Sequence, residues 1–143
     1  MIIKVTRLSN TSSLPTYATD GSACFDLYCD SILRHSNNSI TVQTGIAVEI
    51  PADHVMLIFG RSGMAFNYDT RLSNCVGVID SDYRGEIRVK LQADDFNKGL
   101  PPINCGDRIA QAMVIPVARC EIEEVTELSE TARGQGGFGS TGR

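Results

Sequence analysis

A period of two is the pattern that most constrains what this chain can fold into. Val42, Thr44, Ile46, Val48 and Ile50 alternate with Thr41, Gln43, Gly45, Ala47 and Glu49, as on a strand with one buried face. A second alternation sets Gly85, Ile87, Val89 and Leu91 against Glu86, Arg88 and Lys90. Residues 55–59 and 109–116 are nearly continuous apolar runs and read as more deeply buried strands. Between them stand turn signals: Asn37-Asn38, Pro51-Ala52-Asp53, Lys98-Gly99, Pro101-Pro102 and Cys105-Gly106-Asp107. No long stretch holds a 3.6-residue period, so only a turn or two of helix is expected, near residues 64–68. The fold expected is all-β, a sandwich, jelly roll or barrel of short strands. At 143 residues the chain has the size of one domain and can bury a core without staples. Residues 121–130 are acidic and read as a last strand or a connector.

Composition narrows the function classes. Hydrophobic residues make up 42% and charged residues 21%, which excludes wholesale disorder. The longest clean apolar run, 55–59, is too short to cross a bilayer, and neither a membrane span nor a signal peptide is expected. Cys24, Cys29, Cys75, Cys105 and Cys120 are odd in number and form no C-x-x-C pair. They suggest neither a disulfide framework nor a zinc site, and a reducing, cytoplasm-like compartment fits them. A net charge of -4 and a pI near 5.1 argue against a nucleic-acid polymer as partner. Arginine nevertheless dominates the basic residues, and its planar fork suits bidentate phosphate contact.

The chain stops on RGQGGFGSTGR, residues 133–143, where Phe138 is the sole large apolar side chain. Alone, such a segment cannot bury enough surface to offset the entropy of ordering it. Gly134 to Gly139 match G-x-G-x-x-G, but a dinucleotide fingerprint needs a following helix, and here four residues remain. No Lys follows Gly139, so a Walker loop fails as well. One Arg-Gly step in an acidic protein is thin support for an RNA-binding tail. A frayed terminus is the plain alternative.

Four internal stretches carry chemistry. GRSGMA, residues 60–65, follows a buried strand and supplies Arg61, the Ser62 hydroxyl and backbone N–H groups at a helix start, the equipment for an anion. A capped helix with a surface Arg is its structural alternative. GVIDSDYRGE, residues 77–86, puts Asp80 and Tyr83 on a tight connection able to present both to a ligand, although Asp in turns often bonds its own backbone. GDRIAQ, residues 106–111, places the Gln111 amide where the pattern favours an apolar residue; a buried amide needs partners, and a ligand or a neighbouring chain is one explanation. SACFDLYCD, residues 22–30, sets Asp26 within an apolar run, where a hydrogen-bonded edge position is the alternative to a functional one. His35 and His54 lie beside loop-like residues without a Ser or Cys motif and read as surface residues, so no nucleophilic triad is expected.

Taken in chain order, these five stretches resemble the five motifs of the homotrimeric dUTP diphosphatases, with agreeing spacing from Ala23 to the last residue. The first motif departs in one place, with Cys24 where the family usually has Gly, and residues 1–22 match only loosely. The resemblance implies a distorted jelly roll over residues 1–132, a flexible glycine-rich arm over 133–143, and a homotrimer whose active sites lie between subunits. It implies hydrolysis of dUTP to dUMP and pyrophosphate with Mg2+, which limits uracil in DNA and supplies dUMP for dTMP synthesis. In that reading Asp80 activates the attacking water, and Tyr83 packs on the deoxyribose. Asn74 with Gly77, Val78 and Ile79 would pair with uracil. Arg61, Ser62, Gly63 and Gln111 would bind phosphates, and Asp26 would reach Mg2+ through water. From the arm, Phe138 would cover the uracil ring, Arg133 would meet phosphate or base, and Gly139, Ser140 and Thr141 would wrap the γ-phosphate. A dCTP deaminase shares the fold, but the hairpin from Asp80 to Tyr83 and the terminal motif resemble the diphosphatase better. A protein-binding or regulatory role, with or without turnover, is the alternative from a different class.

Overall fold

The computed structural model describes residues 1–95, 97–140 and 142, with residue 35 described by its backbone alone. Its elements in chain order are β1 (Lys4–Arg7), β2 (Thr16–Tyr17), β3 (Phe25–Tyr28), β4 (Ser31–Ser36), β5 (Ser39–Glu49), β6 (His54–Phe59), α1 (Ser62–Tyr68), β7 (Thr70–Leu72), β8 (Gly77–Ile79), β9 (Glu86–Ala93) and β10 (Arg108–Pro116). One sheet runs β1-β5-β9-β7 with β4 also on β5, and the other runs β2-β3-β10-β6-β8. Every pairing is antiparallel. The sheets do not close on themselves, and they share one apolar core that includes Leu27, Ile46, Met56, Ile87 and Ile109. This is the expected all-β domain in its jelly-roll form, and the short helix falls where the sequence placed it.

The alternation in β5 holds as far as Gln43 and then changes, since Gly45 to Val48 are buried on both faces. The change is a bulge: the register against β9 shifts between Gln43 and Ala47. Gly45 adopts φ +64°, and a Cβ there would stand 2.7 Å from both Asp30 Oδ2 and Ser12 Cβ, so glycine is required. Thr44 occupies an apolar row because its hydroxyl donates to the Ile87 carbonyl at 2.6 Å, which satisfies the one polar atom it buries.

Helix α1 buries none of its residues and ends at Asp69 in the left-handed region, φ 48°. Its role in the fold is to present the chain just before it. After β10, residues 117–130 form no strand among the described residues and are exposed throughout, so this stretch is a connector. Residues 132–140 fold into turns, and their hydrogen bonds close within the tail among the described residues. No helix among the described residues is long and apolar enough to cross a membrane.

Candidate active site

The first, second and fourth motifs meet at one end of the β3-β10-β6 triplet. Gln111 on β10 stands in register with Asp26 on β3 and with Phe59 on β6. Gly60 and Arg61 follow Phe59 directly, so antiparallel pairing alone brings Asp26, Arg61 and Gln111 together. Asp26 is buried at 6% exposure, and its two oxygens are held by different guanidinium groups. Arg61 Nε donates to Oδ1 at 3.0 Å and Arg108 Nη1 to Oδ2 at 3.2 Å. Arg61 Nη1 also reaches the Arg108 carbonyl at 3.3 Å. A carboxylate so buried is tolerable only when paired in this way. The pairing leaves both arginines partly exposed, and neither guanidinium spends all five of its donors on these bonds.

Gln111 finds its partner inside the chain: its amide Nε2 donates to the Gly60 carbonyl at 3.1 Å. That bond holds the loop before α1 against β10. The alternative of a simply capped helix is not what the structure shows. Arg61 occupies the N-cap position without any side-chain cap bond, and its guanidinium turns to Asp26 instead. Ser62 and Gly63 are exposed, and among the described residues their backbone N–H groups have no acceptor. Arg108 was not singled out in the sequence. The available signal was a basic side chain opening a strand whose fourth residue, Gln111, was already conspicuous.

Asn74, Gly77, Val78, Ile79, Asp80 and Tyr83 form a second group around two adjoining clefts. One, of about 350 Å³, is lined by Asn74, Gly77, Val78 and Ile79. The other, of about 430 Å³, is lined by Val78, Ile79, Asp80, Tyr83, Gly85 and Glu86. Asp80 is exposed, and no hydrogen bond holds its carboxylate among the described residues; the turn is closed instead by Tyr83 N–H on the Asp80 carbonyl at 3.2 Å. The common fate of a turn Asp, bonding its own backbone, is therefore not taken here. Tyr83 is fixed by its hydroxyl, which donates to the Glu86 carbonyl at 3.1 Å. Its ring lies where a side chain at 85 would stand, which makes Gly85 a second residue that sequence reasoning passed over.

The two groups do not meet within one chain. On β6, Gly77 faces Ile58 and Ile79 faces Met56, so Asp80 continues toward Val55, away from Gly60. The five residue steps of extended chain from Val55 to Gly60 span about 16 Å. The tail residues expected to complete the site stay apart from both groups in their hydrogen bonding. Phe138 is fully exposed at φ 52°, Arg133 Nε donates to the Gly136 carbonyl at 2.8 Å, and Ser140 N–H bonds Gly137. Gly139 is likewise left-handed, at φ +89°. Thr141 lies outside the described residues.

A resident metal centre finds no support in the donors, since no group of three or more His, Cys, Asp or Glu is placed to hold one among the described residues. Asp26 fits a looser role. Each of its oxygens spends one acceptor position on an arginine and keeps another, enough for water-mediated contact with a Mg2+ that keeps most of its own shell. Cys24, the departure in the first motif, is half-buried beside this carboxylate; burial and the Asp26 charge push its thiol pKa up.

The family model for dUTPase matches residues 10–142. This chain belongs to the dUTPase family. It is 43% identical over 145 residues to the deoxyuridine 5'-triphosphate nucleotidohydrolase of Anaplasma marginale (strain St. Maries), covering 98% of this chain and 97% of that one. Identity is also 43% to the enzyme of the same name from Nautilia profundicola, over the full length of both. Among solved structures, the dUTPase of Staphylococcus bacteriophage 80alpha with dUPNHPP superposes with a TM-score of 0.85 over 99% of each chain, at 24% identity, a likeness of fold. This dUTPase is accordingly a hydrolase acting on dUTP.

Proposed function

We propose that this dUTPase converts dUTP to dUMP and pyrophosphate in sites shared between the subunits of a homotrimer, with Asp80 as the base. The observation that carries the proposal is the free carboxylate of Asp80, exposed on a closed turn beside Tyr83. A carboxylate acts as base when held within hydrogen-bond reach of the water it deprotonates. The proton passes to Asp80 and the water oxygen bonds the α-phosphorus. The bond from that phosphorus to the bridging oxygen breaks, and pyrophosphate leaves.

The separation along β6 supports shared sites. The α- and γ-phosphorus atoms of one triphosphate are two bridging oxygens apart, far less than about 16 Å of strand. Asp80 and Tyr83 of one copy thus work with Arg61, Ser62, Gly63 and Gln111 of another. Asn74 and the backbone of Gly77, Val78 and Ile79 line a slot for the uracil edge, narrow enough to reject the thymine methyl by overpacking. Tyr83 covers the deoxyribose face. Asp26 would hold a triphosphate-bound Mg2+ through water, and the cation would supply charge neutralisation for the leaving pyrophosphate. The arm, residues 133–143, extends to at most about 35 Å and reaches a neighbouring copy, where Phe138 covers the base and Arg133, Gly139, Ser140 and Thr141 enclose the phosphates. The reaction belongs to a reducing, cytoplasm-like compartment, in keeping with five free cysteines. There it limits uracil in DNA and supplies dUMP for dTMP synthesis.

The test is pyrophosphate release from dUTP, dCTP, dTTP and UTP, with and without Mg2+, by the native chain and by Asp80→Asn. Activity confined to dUTP is expected. The variant should lose about 10²- to 10⁴-fold in kcat while binding a slowly hydrolysed analogue normally by calorimetry. Normal turnover by Asp80→Asn would remove Asp80 from the role, and ammonia release from dCTP would overturn the substrate assignment.

A further inference from the structure

We infer that Glu86 is a positioning residue for the hairpin that carries Asp80 and Tyr83, and that it thereby sets the preference for deoxyribose over ribose substrates. The inference rests on the reading of Tyr83 as the ring that faces the sugar. Glu86 opens β9 with a side chain only 14% exposed, and it ties three structures together. Its Oε1 accepts the Gly45 N–H at 3.0 Å. Its Oε2 accepts from Gln43 Nε2 at 3.1 Å and from Arg88 Nε at 2.8 Å. Its own carbonyl receives the Tyr83 hydroxyl at 3.1 Å.

Each contact has a consequence for the site. Gly45 is the left-handed residue of the β5 bulge, where the ladder against β9 is interrupted and its N–H has lost its strand partner. The Glu86 carboxylate supplies an acceptor for that N–H across the bulge, beside the backbone pairing of Glu86 with Ala47 that docks the start of β9 on β5. The peptide of Glu86 is the fixed point on which the Tyr83 phenol hangs, and the turn back to Asp80 is closed by Tyr83 N–H. Position is thus relayed from the β5 bulge through Glu86 to the ring and then to the base. Arg88 lines the same cleft as Asp80, and its bond to Glu86 draws its guanidinium to that oxygen. The carboxylate type matters because one group must accept from three donors on two strands, one of them cationic.

The experiment compares kcat/KM for dUTP with that for UTP in Glu86→Gln and Glu86→Ala. Glutamine keeps one acceptor for Gly45 N–H and loses the charge. The dUTP-to-UTP ratio should fall about tenfold in Glu86→Gln and further in Glu86→Ala, the scale of a lost charge-assisted bond. A residue serving folding alone would lower the active fraction for both substrates equally and leave the ratio unmoved. Gln43→Met, which removes one donor to the carboxylate, should lower the ratio about two- to threefold in the same order of reasoning, and it stands in if the Glu86 variants do not fold. An unmoved ratio in the folded variants overturns the inference. Tyr83→Ala is run beside them. If it collapses the ratio while the Glu86 and Gln43 variants do not, Glu86 is dismissed and the reading of Tyr83 stands. If Tyr83→Ala leaves the ratio intact, that reading fails and the inference with it.

Discussion

One added methyl group at residue 85 should move the active site while leaving the fold in place. In the structure a Cβ at this position would stand 2.5 Å from Tyr83 Cζ and 2.9 Å from Cε2, and closer still to the hydroxyl oxygen. Ordinary contact begins near 3.4 Å, so the ring must withdraw by about 0.9 Å. Gly85 has no left-handed φ, and Ala therefore brings no backbone strain, only the collision. The atoms struck belong to the far end of one exposed side chain, so the strands on either side need not shift. Withdrawal breaks the 3.1 Å bond from the hydroxyl to the Glu86 carbonyl, which is worth about 0.5–1.5 kcal/mol. In the opposite direction, Ala restricts the unfolded chain and adds about 0.4–1 kcal/mol of stability. The two nearly cancel, and the melting temperature should change by only a few degrees. Activity should not be spared, because a displacement near 1 Å at a positioning group can lower the rate about 10²-fold. Gly85→Ala is therefore expected to melt near the native temperature, to lose roughly one to two decades in kcat/KM for dUTP, and to discriminate less against UTP. Native kinetics on both substrates in a folded Gly85→Ala would refute the claim that the ring position matters.

Two further expectations concern the tail and the core. Deletion of residues 133–143 should leave a folded protein of unchanged oligomeric state, read by light scattering, with turnover of dUTP strongly reduced; full activity would exclude the arm from the site. Cys29 offers a test of pH dependence. Burial first, then the neighbouring Cys105, Asp107 and Asp30, pushes its thiol from the ordinary 9.0 up to about 12. Because the folded value lies above the unfolded one, this contribution to stability is complete below about pH 9 and is lost as pH rises toward 12. Urea midpoints should accordingly fall more steeply with pH above 9 in the native chain than in Cys29→Ala, and parallel slopes would contradict the buried thiol.

Much of the fold was legible because its main determinant is local. The alternation of Val42 with Gln43 and of Val89 with Arg88 needs nothing beyond side chains that point to opposite faces of a strand. The same reasoning could not foresee the break at Gly45, where space is set by Asp30 and Ser12 from distant parts of the chain. Gln111 was conspicuous as an amide in an apolar row, but its partner proved to be the Gly60 carbonyl, a contact made by register between β10 and β6. In the sequence Arg108 was not singled out, and Glu86 is one polar residue of an alternating strand. Only pairing reveals that one anchors Asp26 and the other holds the β5 bulge.

The sequence by itself determined the strands β5, β6, β9 and β10, the short helix and the set of chemical groups, because periodicity and residue type are properties of neighbours along the chain. It also carried the family, since five ordered motifs and their spacing are linear information. The tertiary structure decided how those groups are divided. Antiparallel register gathers Asp26, Arg61 and Gln111 at one end of β6, and the β8 pairing sends Asp80 and Tyr83 toward the other. Whether residues in separate motifs share one site depends on strand direction and offset, and no pattern read along the chain contains either.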